Sequence, residues 1–265
     1  LLVKALEPAR RASSTPLHQT SVRNEHAYYC CVAQVLCEDR RENSVYDADV
    51  YVCGDSHTLA PAWKVLDVKQ KRLRLKPALV TGLKHWHLRR EGTFYPKRNF
   101  YYVCGLDTRA PAPLKKALGL FGDDVTTPTI PPNATVLFLL GEIDCREGIL
   151  VAVEKLRYES VEEGIRHTAS IFVDVASKLA RHKQWRALVH PVPPVLDETR
   201  GMVLKYNDTL RRLVDASSEL TWVDCFDGFL DASGKLDARW RLDGTHLHPR
   251  YLDELLAPAL GKLDF

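Results

Sequence analysis

From Asp47 onward, short apolar runs of strand length alternate with longer stretches whose apolar residues recur near every third or fourth position. Ala48–Cys53 is the first strand, and Lys71–Lys76 alternates basic and apolar residues at the period of a half-exposed strand. Pro77–Thr81 is more apolar and ends at Gly82, and Phe100–Cys104 reads as a short aromatic strand. Ala134–Leu140 is the clearest buried strand, Arg186–His190 is closed by Pro191-Val-Pro-Pro194, and Leu220–Cys225 is the last. Between them, Val161–Arg181 places Val161, Ile165, Ile171, Phe172, Val175 and Leu179 near helical period, and Met202–Val214 repeats the pattern. Tyr251–Leu260 makes a terminal helix with Pro249 near its start. Strands that alternate with helices pair in parallel through right-handed crossovers, with helices on both faces. The expected fold is therefore an α/β/α three-layer sandwich around a mainly parallel central sheet, with ligands beyond the carboxyl ends of the strands.

Residues 1–47 read differently: polar, arginine-rich, with one helix-like patch at Ala27–Leu36. They are expected to form an N-terminal extension, the tail of something upstream, before a domain spanning 48–265. At 265 residues, 45% hydrophobic and 27% charged, the chain has the make-up of an ordinary globular protein. Its net charge of +3 is too small to imply a nucleic-acid partner. The longest apolar runs, such as Val136–Leu140, fall far short of the roughly 20 residues a membrane span needs, and the charged N-terminal run does not read as a signal peptide. The seven cysteines are odd in number, scattered and without a CxxC pair, which favours a reducing compartment such as the cytoplasm.

Chemistry concentrates at three strand ends. The first strand runs into Gly54-Asp-Ser-His57, so Ser56 either caps the following helix or stands as a nucleophile at the sheet edge. Far downstream, Arg241-Leu-Asp-Gly-Thr-His-Leu-His-Pro249 carries Asp243 and His246 three residues apart with Gly244 in a turn between them. A serine hydroxyl needs a base, and the base needs a group that fixes its tautomer. At the third end, Leu140-Gly-Glu-Ile-Asp-Cys-Arg146 either faces the same crevice or forms a turn whose charged residues are solvated or ion-paired.

In these blocks, over about Asp47 to Leu260, the sequence resembles the SGNH hydrolase superfamily, the GDSL-like lipases and esterases, in a divergent GDSH form. The resemblance implies a flavodoxin-like α/β/α domain, Ser56 as nucleophile, His246 as general base and then acid, and Asp243 orienting His246. It also implies an oxyanion amide at a glycine after a strand, for which Gly82 is the candidate and Gly105 the weaker choice. The third block departs from the family: where Gly-x-Asn-Asp is usual, this chain has Gly141-Glu-Ile-Asp144, with Ile143 in place of the asparagine donor. Losing such a donor costs about 100- to 1000-fold in turnover. Substitutes by location are Arg146, His85, His87 and His190, and the oxyanion or substrate-binding set is read as Gly82, His85, His87, Gly141, Asp144 and His190.

The implied reaction is acyl transfer from a small-molecule ester through an acyl-enzyme, with no cofactor and no metal. His85-Trp-His87 and His246-Leu-His248 are each spaced to chelate from one strand face, but the usual zinc spacings are missing. His85, Trp86 and His87 are read as crevice lining beside Phe94 and Tyr95. The run Lys69–Lys76 is read as a charged strand edge, not as a nucleic-acid platform. Two other readings are a non-catalytic module that keeps the fold, and an O-acyltransferase that acts on a sugar or another alcohol.

Overall fold

The computed structural model describes residues 45–89, 94–107, 129–242 and 244–263. The patch at 27–36, and with it nearly all of the N-terminal extension, lies outside the described residues, as does Asp243.

Six strands form one sheet: β1 (Ala48–Gly54), β2 (Val65–Val68), β3 (Lys71–Leu79), β4 (Thr135–Leu139), β5 (Arg186–Val189) and β6 (Leu220–Trp222), in the order β2-β3-β1-β4-β5-β6. All neighbours pair in parallel except β2, which runs antiparallel along β3 at one edge. Helices cover both faces: α1 (Tyr95–Val103), α2 (Ile149–Glu154), α3 (Val161–Lys183), α4 (Arg200–Asp215) and α5 (Ala257–Gly261). β1 and β4 are accordingly buried through residues of both parities, Val50 to Cys53 and Val136 to Leu139. Among the described residues, no helix is long and apolar enough to cross a membrane.

Local chemistry explains the long helices. Ser160 caps α3 by accepting the Glu163 amide at 3.1 Å, and acidic Glu162 and Glu163 sit in its first turn while Arg181, His182 and Lys183 close its last. Ile165, Ala169, Phe172, Ala176 and Leu179 are its buried stripe.

Three expectations are corrected. Phe100–Cys104 is the end of helix α1 and its cap, not a strand. Pro96 favours the first turn, and Pro96, Phe100 and Val103 share the buried face at helical spacing, which overrides the aromatic β preference. The basic strand is not an edge: β3 lies inside the sheet, Leu73 and Leu75 enter the core, and Arg74 makes two hydrogen bonds to Asp49 of β1 at 2.7 and 3.1 Å. Lys76 lies 3.5 Å from the same carboxylate, so the alternation serves a lateral ion-pair ladder. Pro77 does not divide the strand either. The Leu75 amide and carbonyl face the β2 side, bonding to Lys64 and Trp63, and Pro77 has the same parity. Because β2 pairs no further than Val65 with Arg74, no ladder bond is lost at Pro77.

The chain reaches β3 on one side of β1 and β4 on the other, so the sheet's switch point lies at the carboxyl end of β1. There β1 and β4 approach so closely that a Cβ on Gly54 would sit 1.7 Å from the Leu139 carbonyl oxygen. Gly54→Ala is expected to destabilise the fold by about 3 kcal/mol or more, read as a lowered urea midpoint. Gly201→Ala, whose Cβ would meet nothing within 4 Å, should leave stability unchanged or raise it by up to about 1 kcal/mol. Equal midpoints for the two variants would contradict the close-approach account.

Candidate active site

Directly after β1, Asp55 takes the capping role. Its carboxylate accepts the His57 amide at 3.0 Å at the start of the short 3₁₀ turn Ser56–Leu59, and its carbonyl accepts the Thr58 amide and hydroxyl. Ser56 is therefore not the cap, and its hydroxyl lies 2.9 Å from Nε2 of His246, 190 residues away in sequence. His246 is only 2% exposed. Its strand-like segment is pinned by the Leu242 amide on the His246 carbonyl at 3.1 Å and the His248 amide on the Trp240 carbonyl at 2.7 Å. For Nε2 to accept the serine proton, Nδ1 must carry the ring hydrogen, and Thr245 Oγ1 stands 3.1 Å from Nδ1. Thr245 was not singled out by sequence because a threonine beside a histidine carries no signal of its own.

The Ser56–His246 pair lines a cleft of about 490 Å³. One wall is the loop after β3, with Thr81, Gly82, Lys84 and His87, and another is the loop after β4, with Glu142, Ile143, Arg146 and Glu147. Gly82 adopts φ of 69°, a left-handed conformation that L side chains resist. The backbone amides of Ser56 and Gly82 donate to no acceptor among the described residues. Gly105, at φ of 67°, follows the Cys104 cap of α1 beside Lys183 and Ile130 and is not part of the cleft lining.

The other predicted residues divide sharply. His87 and Phe94 line the cleft with ring centroids 4.4 Å apart, while Tyr95 does not. Burial, with Lys84 and Arg89 nearby, lowers the His87 pKa to about 4, so it is a neutral imidazole near neutral pH. His85 points away: the segment His85–Leu88 is a 3₁₀ turn, not a strand, so the two histidines do not share a face. The His85 ring stacks on Phe172 at 4.2 Å and its Nδ1 lies 2.5 Å from the Tyr206 hydroxyl. Burial lowers its pKa to about 3. His190 is buried too, with Nδ1 2.6 Å from the Pro191 carbonyl and a pKa lowered to about 4 by burial. Gly141 is packed under the cleft against Val192 and His85.

Asp144 is fully buried and ties two walls together, accepting the His85 amide at 2.7 Å and the Trp86 amide at 3.2 Å. Glu142 is not a solvated turn residue: it is 3% exposed, with Oε2 3.8 Å from His57 Nε2 and Oε1 3.7 Å from Arg146 Nε. The His57 and His246 rings lie 5.0 Å apart, so a buried carboxylate, two imidazoles and Asp55 crowd beneath the serine. Sequence left Glu142 undistinguished because a glutamate after a strand-ending glycine is ordinary on a surface.

Compared with known proteins, the chain matches no family model and no curated protein. Among solved structures it is similar to a Streptococcus pneumonia protein assigned as a platelet activating factor, at a TM-score of 0.50 and 12% identity over 98% of this chain and 97% of that one. What that likeness carries is the fold. Two more are the lipase Lip_vut3 from a goat rumen metagenome (TM-score 0.48, 12% identity, 81% of this chain and 96% of that one) and the psychrotrophic esterase EstA from Pseudoalteromonas sp. (0.36, 13%, 82% and 96%).

Burial raises the Asp144 pKa from 3.8 to about 7, with the two amides and Lys84 only partly offsetting it. A carboxyl whose folded pKa lies above its unfolded value binds more protons when folded, so stability falls as pH rises from about 4 to about 7. Asp144→Asn should remove that fall: between about pH 4 and about pH 8 the native chain loses on the order of 2–4 kcal/mol relative to the variant. Parallel stability–pH curves for the two proteins would contradict this.

Proposed function

We propose that the chain is a serine-dependent ester hydrolase or acyl-transferring enzyme of the SGNH type, working through an acyl-enzyme on Ser56. The observation that carries this reading is the 2.9 Å contact between Ser56 Oγ and His246 Nε2 at the switch point of the sheet. In the proposed cycle Ser56 Oγ attacks the ester carbonyl carbon and His246 Nε2 takes the hydroxyl proton. The carbonyl oxygen becomes an oxyanion, and the Ser56 and Gly82 amides, which donate to no acceptor among the described residues, take the role of its donors. Collapse breaks the bond to the alcohol, which leaves with the proton from His246. Water, or another alcohol, then repeats the attack on the acyl-Ser56 ester and frees the acyl group and the serine. Asp243 takes the orienting role that its place in the resemblance implies, with Thr245 beside the same ring nitrogen.

Ile143 lines the cleft in the position where the family supplies a side-chain donor. An apolar side chain there adds nothing to oxyanion stabilisation, so turnover is expected to be slow for the class.

On a short-chain aryl ester, Ser56→Ala and His246→Ala should each lower kcat by about 10⁴-fold or more, to the level of binding and oxyanion contacts alone. Activity retained in Ser56→Ala would sink the proposal. Ile143→Asn should raise kcat by about 10- to 100-fold by restoring a donor. An unchanged kcat would mean that the third donor is already present elsewhere in the cleft.

A further inference from the structure

A second cleft of about 380 Å³ opens beside the first, sharing Lys84, His87 and Glu147 as common walls. Its remaining lining is Trp86, Gly148, Val151, Ala152, Lys155 and Arg157. The two carboxylates along the joined clefts are already engaged, Glu147 with Lys84 at 2.9 Å and Glu142 with Arg146 at 3.7 Å. Glu154 and Glu159, close in sequence to the two cations, do not line the cleft. Lys155 and Arg157 pair with no carboxylate among the described residues. Arg89 adds a third such cation, its guanidinium 4.2 Å from the Trp86 ring centre, with that of Arg157 at 5.9 Å. Cations gathered along one cleft wall focus a field that attracts anions.

The turn that holds them is fixed in shape. Lys155 caps α2, the Leu156 amide bonds to the Val153 carbonyl and the Arg157 amide to the Ala152 carbonyl, both at 2.9 Å. This paired geometry normally carries glycine at the left-handed position. Here that position is Leu156, at φ of 53° and 91% exposed, a residue that gains little from burial and strains the backbone. The chain thus holds Lys155 and Arg157 on either side of a closed turn at the cleft wall.

We propose that this second cleft is an anion subsite, which binds a carboxylate or phosphate carried on the substrate away from the reacting ester. The substrate class is then an anionic ester, and the inference rests on the hydrolase reading only for the adjacent chemistry. Binding itself is testable without turnover. Glycerol 3-phosphate and glucuronate, with glycerol and glucose as uncharged comparators, are titrated into the native chain by calorimetry or NMR. At least one anion should bind more tightly than its comparator, and which of the two does so tells phosphate from carboxylate. The double variant Lys155→Glu, Arg157→Glu, altered only at exposed side chains, should weaken that binding by about tenfold or more, the scale of a lost charged hydrogen bond. It should also lower the ratio of kcat/KM for a phosphate-bearing ester over a neutral one by a similar factor. Anions that bind no better than their comparators, or binding that survives charge reversal, would overturn the subsite. Anion binding that is lost on charge reversal, in a protein with no Ser56-dependent turnover, would support the subsite and overturn the hydrolase reading instead.

Discussion

The arrangement depends on how closely β1 and β4 lie at Gly54. With no side chain there, the Leu139 carbonyl can occupy the space a Cβ would take, and β1 can end flush with its neighbour. Asp55 then turns the chain by accepting the His57 amide, which leaves the Ser56 hydroxyl outside the capping network. The switch in strand order at the same point opens the crevice, because the loops after β3 and β4 diverge to opposite sides of β1. One tight backbone contact thereby sets where the serine stands, and the C-terminal segment brings His246 to it.

Around that pair, burial decides what each polar group can do. His85 and His190 are held neutral inside the protein by burial, while His87 is neutral at the cleft wall. Asp144 spends its two oxygens on the His85 and Trp86 amides, so its effect on the cleft runs through the shape of the Lys84–Trp86 loop. Glu142 is the less expected feature, a buried carboxylate shared between His57 and Arg146 at distances too long for tight hydrogen bonds.

Much of the fold was legible because parallel strands buried on both faces, such as Val136–Leu140, read as unbroken apolar runs, and α3 and α4 carry clean helical periods. Helix α1 was misread because a run of Phe and Tyr favours strands locally, while the packing of Phe100 and Val103 on one face is a tertiary fact. Strand β2 escaped notice: four residues with an exposed aspartate in the middle give too little pattern. Ser56, Gly82 and His246, which line one cleft, could be singled out in the sequence from the Gly-Asp-Ser strand end and from the blocks of the resemblance. The inward rotation of His85 and the outward rotation of His87 were not, since a 3₁₀ turn and a strand place neighbours two apart on different faces.

The central claim is that Ser56 is a nucleophile activated by His246. Its most direct test is treatment of the native chain with a fluorophosphonate, followed by peptide mass spectrometry. The account predicts a single phosphonyl adduct on the peptide containing Ser56, absent after His246→Ala at matched exposure. A folded protein that carries no adduct on Ser56, or one that labels equally without His246, would contradict it.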